Sequence, residues 1–309
     1  MIPDSLASEI WSKLVRGRPL DDLVPLHGGR WDLRGLKLGA QPTKKRFAFG
    51  LRAMVRVVDA ALIERATWRD LDLSSTSLDG LQLSRMNIVN CAFDNSSMQN
   101  MRVWASVFRD CTFVGGNLRG SVLGGVDNGK VSSYLRVDFS RADLRRTVYE
   151  AAAFEACSFR YSKLTGVDFQ TSTFKDCVFE GEVRDVMFYH RAFRGERFPP
   201  NEMINVDFRR AQLHDVAFRG LTLETVALPQ DDKHIVIDDY AETLRYVIPI
   251  LEKQGDETAR ALIYLLEIDR KWLPVAKKRA VINLEDVAET TGREGVDRLL
   301  QVLNRGSAQ

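Results

Sequence analysis

Side chains able to do chemistry are few in this chain, and their spacing argues against most of it. Four cysteines form two pairs, Cys91 with Cys111 and Cys157 with Cys177, each twenty residues apart. Thiols stacked at that interval could close a disulfide or hold a metal. Yet there is no C-x-x-C spacing and no histidine at ligand distance. Free cysteine is also among the most buried residue types, so the four are expected to be small packing residues. Gly124-Gly-Val-Asp-Asn-Gly-Lys130 matches the opening of a phosphate-binding loop. Val131, however, stands where Ser or Thr must hold magnesium, and no strand-then-helix context frames the glycines. His27, His190, His214 and His234 belong to no catalytic pattern, and His214-Asp215 is expected to face solvent. No nucleophile–base constellation emerges. The chain is therefore expected to be no enzyme, with no catalytic, cofactor-binding or metal-binding residue and no cofactor.

The elements behind these residues follow an unusual period. From Trp68 to Leu123 a large apolar side chain recurs at every fifth position, including Leu73, Ile88, Phe93, Phe108 and Phe113. A shifted frame resumes with Phe139, Leu144, Tyr149, Phe154, Phe159, Leu164, Phe169, Phe174 and Phe179, and a third runs from Val183 through Phe188, Phe193, Phe198, Met203 and Phe208 to Leu228. Five fits neither an α-helix nor an alternating strand, and fixed-period self-similarity points to a solenoid. Two residues before each large one the side chain is usually small: Thr76, Cys91, Ser96, Cys111, Ser121, Cys157, Ser172, Cys177. Two positions in five thus face inward, in keeping with a 45% hydrophobic composition.

The units Val137-Asp-Phe-Ser-Arg, Ala142-Asp-Leu-Arg-Arg, Val167-Asp-Phe-Gln-Thr and Val206-Asp-Phe-Arg-Arg resemble the A-(D/N)-L-x-x repeat of pentapeptide repeat proteins. That resemblance implies a mainly β architecture, a right-handed quadrilateral β-helix with four units per coil. Residues twenty apart would then stack: Phe139, Phe159 and Phe179 in one column, Phe154 and Phe174 in another, Phe188, Phe208 and Leu228 in a third. Some relatives imitate a DNA duplex and protect DNA gyrase or topoisomerase IV from quinolones. Such mimicry needs a dense acidic surface, since the duplex carries about one charge per 1.7 Å. Residues 66–228 instead hold twenty Lys plus Arg against twenty Asp plus Glu.

The flanks lose the period. Asp4 can cap a helix in which Leu6, Ile10, Trp11 and Leu14 share a face. Trp31-Asp-Leu-Arg-Gly and Leu36-Lys-Leu-Gly-Ala read as repeat units, and Ala61-Leu-Ile-Glu-Arg as another. Between them, residues 41–60 fit either a basic amphipathic helix or an irregular coil. After Pro229 helical spacing takes over. Tyr240, Leu244, Val247 and Leu251 share one face, with Pro249 expected to kink or divide the helix. Asp256 caps the next, burying Ala259, Leu262, Ile263 and Leu266. Thr291-Gly-Arg-Glu294 reads as a capping box for a last helix with Val296, Leu299, Leu300 and Leu303 on a stripe. Leu284–Gly292 with that helix also resembles a helix-turn-helix, in which Arg293, Arg298 and Arg305 would meet DNA. Fifteen acidic against twelve basic residues from Asp231 onward is the wrong sign for that role.

The expected organisation is an N-terminal helical or loop cap (1–30), a repeat β-helix (31–229) and an α-helical C-terminal domain (230–309). Within the β-helix, 39–60 is irregular, 126–136 is a projecting loop and 189–205 is a second break. There Arg191 and Glu196 occupy inward positions and Pro199-Pro200 interrupts the ladder. Departures from a bare scaffold are where binding groups are sought, so Lys130, Tyr134, Arg136, Tyr189, His190 and Arg191 are the candidate partner contacts. No stretch is long and apolar enough to span a bilayer, nor does a leader precede a cleavage site, so a cytoplasmic location is expected. The expected function is a protein-interaction scaffold. A gyrase-directed DNA mimic is the alternative, and DNA binding through the C-terminal helices the second. Another protein is the expected partner, a homodimer through those helices a further one, and nucleic acid is disfavoured.

Overall fold

A turn every fifth residue organises the chain in the computed structural model, which describes residues 4–37, 62–191, 198–268 and 279–306. The expectations for residues 41–60, for Ala61, Phe193 and Glu196 lie outside these. Asp70, Asn90, Asn100, Asp110 and Asp176 all adopt left-handed φ, between 52° and 58°. Asp and Asn tolerate that conformation better than other chiral residues, which is one reason they punctuate the repeat. A second aspartate position fixes the turn from its other side. The Oδ1 atoms of Asp72, Asp138, Asp168 and Asp207 accept the backbone N–H two residues on, at 2.9–3.0 Å.

Between turns the three-residue segments pair in parallel. Thr67–Arg69, Asn87–Val89, Val107–Arg109, Ser133–Leu135, Ala153–Glu155 and Thr173–Lys175 form one six-stranded sheet, in that order. Leu62–Glu64, Gln82–Ser84 and Arg102–Trp104 form another. The register sets Trp68 opposite Ile88 and Ile88 opposite Phe108, twenty residues per coil. This is a β-helix-type solenoid of parallel strands with helices at its C-terminal side.

Both inward positions are filled as the period requires. Every large residue from Trp68 to Phe179 named above is buried, and so are the small ones. Rings stack face to face along the axis: Phe139–Phe159 at 5.2 Å, Phe159–Phe179 at 4.7 Å and Phe154–Phe174 at 5.0 Å. Each such pair adds about 0.5–1.5 kcal/mol beyond its area burial. The small hydroxyls donate to a carbonyl one coil below: Ser96 Oγ to Leu73, Ser121 to Met98, Ser162 to Phe139, Ser172 to Tyr149, at 2.6–2.9 Å. Cys111 and Cys157 direct their thiols to the equivalent carbonyls, of Ile88 and Tyr134. All four cysteines are free and buried.

Coil length departs from twenty at three places: it rises to twenty-six and to about thirty, and falls to nineteen where Asp168 pairs with Met187. Phe108 stacks on Tyr134 at 5.1 Å, and Tyr134 on Phe154 at 5.0 Å. Tyr134 is thus a buried column residue, with its hydroxyl donating to the Leu123 carbonyl at 2.5 Å. The coil carries six extra residues (Val107 pairs with Ser133), so the excursion ends at Val131 rather than Arg136. The second departure lengthens a coil to about thirty, with Phe188 opposite Phe218. Phe188 therefore stacks on Phe169 and Phe218, both at 5.4 Å, and not on Phe208. Phe208 meets it edge-on at 73° and stacks instead on Phe179 at 4.7 Å. Phe198 is only half-buried, while Met203 is fully buried. Ile204 pairs beside Lys175.

Helix α1 (Asp4–Val15) closes the first coil with Ile10, Trp11 and Leu14 buried. The Trp68 indole donates to the Leu14 carbonyl at 3.0 Å. Residues 31–37 lie beneath 71–77, with Trp31 opposite Leu71 and Lys37 opposite Ser77. At the other end an antiparallel ribbon, His234–Ile237 with Ala280–Asn283, is followed outward by α2 (Tyr240–Gln254), α3 (Glu257–Glu267) and α4 (Leu284–Gly306). Val236 and Val281 pack on the solenoid core, whereas Ile235 and Ile282 pack on the helical one. Strand alternation lets one ribbon serve both.

The helices also correct details. α2 runs through Pro249 without dividing. Asp256 caps α3 through the Ala259 N–H at 2.8 Å, as expected. Thr291 is no N-cap: its hydroxyl donates back to the Val287 carbonyl at 2.8 Å. Gly292, at φ 69° and ψ −180°, breaks the helix instead. Val296, Leu299 and Leu303 join the helical core, with Val302 beside them.

Candidate interaction surface

Outward side chains of the solenoid largely neutralise one another. Arg145 pairs with Asp143 at 2.5 Å, Arg209 with Asp207 at 2.6 Å, Arg34 with Asp32 at 2.7 Å and Lys175 with Glu155 at 2.8 Å. Their hydrogen bonds to Arg145 and Arg209 hold Asp143 and Asp207 below the ordinary carboxylate range. The result is a mosaic of short-range pairs.

The first excursion is a strap lying on a face, where a projecting loop was expected. Asp127 and Lys130 exchange both backbone hydrogen bonds at 3.0 Å across Asn128 (φ 49°) and Gly129 (φ 76°). Two positive φ values suit the type I′ turn that a two-residue hairpin prefers, and Asn-Gly supplies them. The strap folds back because Gly125 (φ 136°) passes over Trp104, where a Cβ would lie 2.7 Å from the indole Cδ1. Its Asp127 carboxylate pairs with Arg85 on an earlier coil, and that hydrogen bond holds Asp127 below its usual range. Between strap and face lies a groove of about 170 Å³, bounded by Leu62, Gln82, Trp104 and Val126. The phosphate-loop-like glycines thus serve a hairpin.

The six candidate contacts fall in different environments. Lys130 is exposed on the strap. Arg136 is exposed and holds Asp110 with two bonds of 2.6 and 2.9 Å. Tyr134 is excluded from any surface by its burial. Tyr189 is also buried, beneath the Arg219 guanidinium at 5.6 Å from its ring, and burial raises its hydroxyl. His190 is half-buried, with Nδ1 2.9 Å from the Asn201 carbonyl, and Arg191 is exposed. The structure therefore does not bring the six together.

Sequence reasoning missed the junction between the solenoid and the helices. His214 is buried there, where solvent exposure was expected, because the C-terminal segment lies over it. Its ring nitrogens stand 3.6 Å from Glu285 Oε2 and 3.6 Å from Asp286 Oδ1. His234 is buried beside it, Nδ1 2.8 Å from Asp231 and Nε2 accepting the Leu213 N–H at 3.2 Å. The Asn283 amide donates to the Leu213 carbonyl, while its Oδ1 accepts the Glu285 N–H at 2.7 Å and caps α4. Asp286 Oδ2 accepts the Asp215 N–H at 2.9 Å. Arg279 spans the end of the array, donating to the carbonyls of Leu223 and Val226 at 3.1 and 3.0 Å. An Asn one residue before a Leu-Glu-Asp helix start was the legible cap signal. Of the three arginines expected to meet DNA, Arg298 is engaged by Asp256 at 2.6 Å and Glu294 at 2.5 Å. Arg293 is exposed, and the Arg305 side chain lies outside the described residues.

These features define a β-solenoid of five-residue units whose polar side chains mostly serve its own backbone. Residues 137–176 match the family model described as pentapeptide repeats, in eight copies, and the chain carries that family's repeat. Similar solved structures include Rfr23, a pentapeptide repeat protein from the cyanobacterium Cyanothece 51142, at 12% identity and a TM-score of 0.30, covering 40% of this chain and 89% of that one. Another is HetL from Nostoc, a pentapeptide repeat protein involved in heterocyst differentiation regulation, at 11% identity and a TM-score of 0.28, covering 72% and 97%. Full-length QnrB1, a plasmid-mediated fluoroquinolone resistance protein, aligns at 17% identity and a TM-score of 0.21, covering 63% and 91%. No curated protein sequence matches the chain. Among the described residues no helix is long and apolar enough to cross a membrane, and no group of three or more His, Cys, Asp or Glu could hold a metal.

Proposed function

We propose that this chain is a non-enzymatic protein-interaction scaffold: a right-handed, four-sided β-helix over residues 31–229, closed by residues 1–30 and by a helical domain from 230. The observation that carries this reading is the strap. It holds a groove in which Leu62, Trp104 and Val126 meet Glu64, Gln82, Ser84 and the Arg85–Asp127 pair, on an otherwise charge-paired face. Aromatic and apolar groups ringed by paired charges are the composition of protein-binding patches. The partner is a protein that inserts a side chain into this groove.

Deleting residues 126–131 joins Gly125 to Ser132 and returns that coil to twenty residues. The shortened chain is expected to fold and to lose its partners in affinity purification from the native host. Retention of the same partners would remove the strap from consideration. The alternating ion pairs count against a duplex-like face. Gyrase supercoiling is accordingly expected to be unchanged by the protein in excess.

A further inference from the structure

The junction holds a second cavity, of about 140 Å³ and partly open to solvent, that the scaffold reading does not use. Leu213 and Val216 form its solenoid side, Leu262, Leu266 and Leu299 its helical side, and the ribbon between them supplies Asn283. Close to the cavity the polar groups are nearly all spent. The Tyr240 hydroxyl donates to the Leu266 carbonyl at 2.6 Å. The Asn283 amide bonds Leu213, and its oxygen accepts from Glu285 and Asp286.

One valence remains open. Asp286 lines the cavity, and its Oδ1 is buried with no hydrogen-bond partner among the described residues. The His214 imidazole, at 3.6 Å, lies beyond hydrogen-bond length. Leaving a buried carboxylate oxygen unpaired is unfavourable, so the site favours any donor that can reach it. Burial raises the Asp286 carboxyl, as do the nearby charges of Asp215 and Glu289. With Glu285 also present, the local excess is negative, offset by Lys233 on Glu285 at 2.8 Å. That balance favours a cation over a neutral donor.

We infer that this cavity binds a small primary ammonium with an apolar body the size of a six-membered ring, its nitrogen on Asp286 Oδ1. The volume fits: an engineered apolar cavity of about 150 Å³ in another protein accommodates benzene.

Benzylamine is the probe, with benzyl alcohol as its neutral isostere, each titrated into the full chain by calorimetry and by the shift in Tm. Benzylamine is expected to bind and raise Tm, and benzyl alcohol to bind roughly tenfold or more weakly. Asp286→Asn should bring the two ligands to equal affinity while far-ultraviolet circular dichroism stays unchanged. Leu299→Phe, which fills the cavity without touching the carboxylate, should abolish both. Absence of benzylamine binding at millimolar concentration to the folded wild-type chain overturns the inference. So does equal affinity for amine and alcohol, or benzylamine binding that survives both substitutions.

Discussion

The buried imidazole of His234 accepts the backbone N–H of Leu213 at 3.2 Å, across twenty-one residues of sequence. Together with the Asn283 amide on the Leu213 carbonyl, it gives a solenoid-edge residue both backbone partners without a further strand. An exposed last coil is an open sheet edge that invites association, and solenoids need it closed. Here side chains of the C-terminal segment do part of that closing. Because Nε2 accepts, it must be unprotonated, with the proton on Nδ1 facing Asp231.

Replacing His234 with Ala should therefore cost about 1–3 kcal/mol, the penalty of an orphaned buried N–H. His234→Gln, whose amide oxygen can accept, should recover part of it. Urea denaturation of the three proteins reads the order, and faster amide exchange at Leu213 in the Ala variant reads the place. Equal stability of all three would contradict the closure.

Tyr134 and Arg136 stand two residues apart, yet substitution should separate them sharply. Tyr134→Ala removes a ring stacked on Phe108 and Phe154 and is expected to cost about 3–5 kcal/mol. Arg136→Ala breaks an exposed pair with Asp110, and such pairs are worth at most about 1 kcal/mol. Chemical denaturation of both variants distinguishes a column residue from a surface residue.

Gly125→Ala should release the strap. The new Cβ would meet the Trp104 ring at 2.7 Å, in a backbone region that L side chains rarely adopt. Limited proteolysis should then cut between Val126 and Val131 at protease levels that leave the parent chain intact, and Trp104 fluorescence should shift toward that of an exposed indole.

Acid stability should carry the signature of Asp32. Its hydrogen bond with Arg34 lowers the carboxyl from 3.8 to about 2 in the folded chain. A depressed carboxylate stabilises the fold above its unfolded value and loses that contribution as pH falls through the folded one. The contribution of Asp32 is thus intact above about pH 4 and lost toward pH 2. Asp32→Asn should flatten the pH dependence of Tm in that window. An unchanged slope would place the acid sensitivity elsewhere.

Much of the fold was legible because a five-residue period leaves only one way to bury its apolar side. Phe139, Phe159 and Phe179 stack as their spacing requires, and the cysteines sit where a small inward residue is needed. Spacing predicts stacking only while each coil holds twenty residues. Tyr134 and Phe208 were assigned wrongly for that reason: once a coil lengthens, counting no longer says which ring lies above which. The candidate site was less legible still, since nothing in Gly124–Lys130 states that the hairpin lies flat on Trp104 and reaches Arg85.

By itself, the sequence determined the repeat, its two inward positions and the helical C-terminal segment, because each is a local or periodic property. Tertiary structure alone decided that His214 and His234 are buried at the junction with the helices, that Tyr134 belongs to the core and that Asp286 keeps an unpaired oxygen beside a cavity. These depend on contacts across twenty to seventy residues. Their partners are chosen by how the end of the array and the C-terminal segment fit together, and that fit has no periodic trace in the chain.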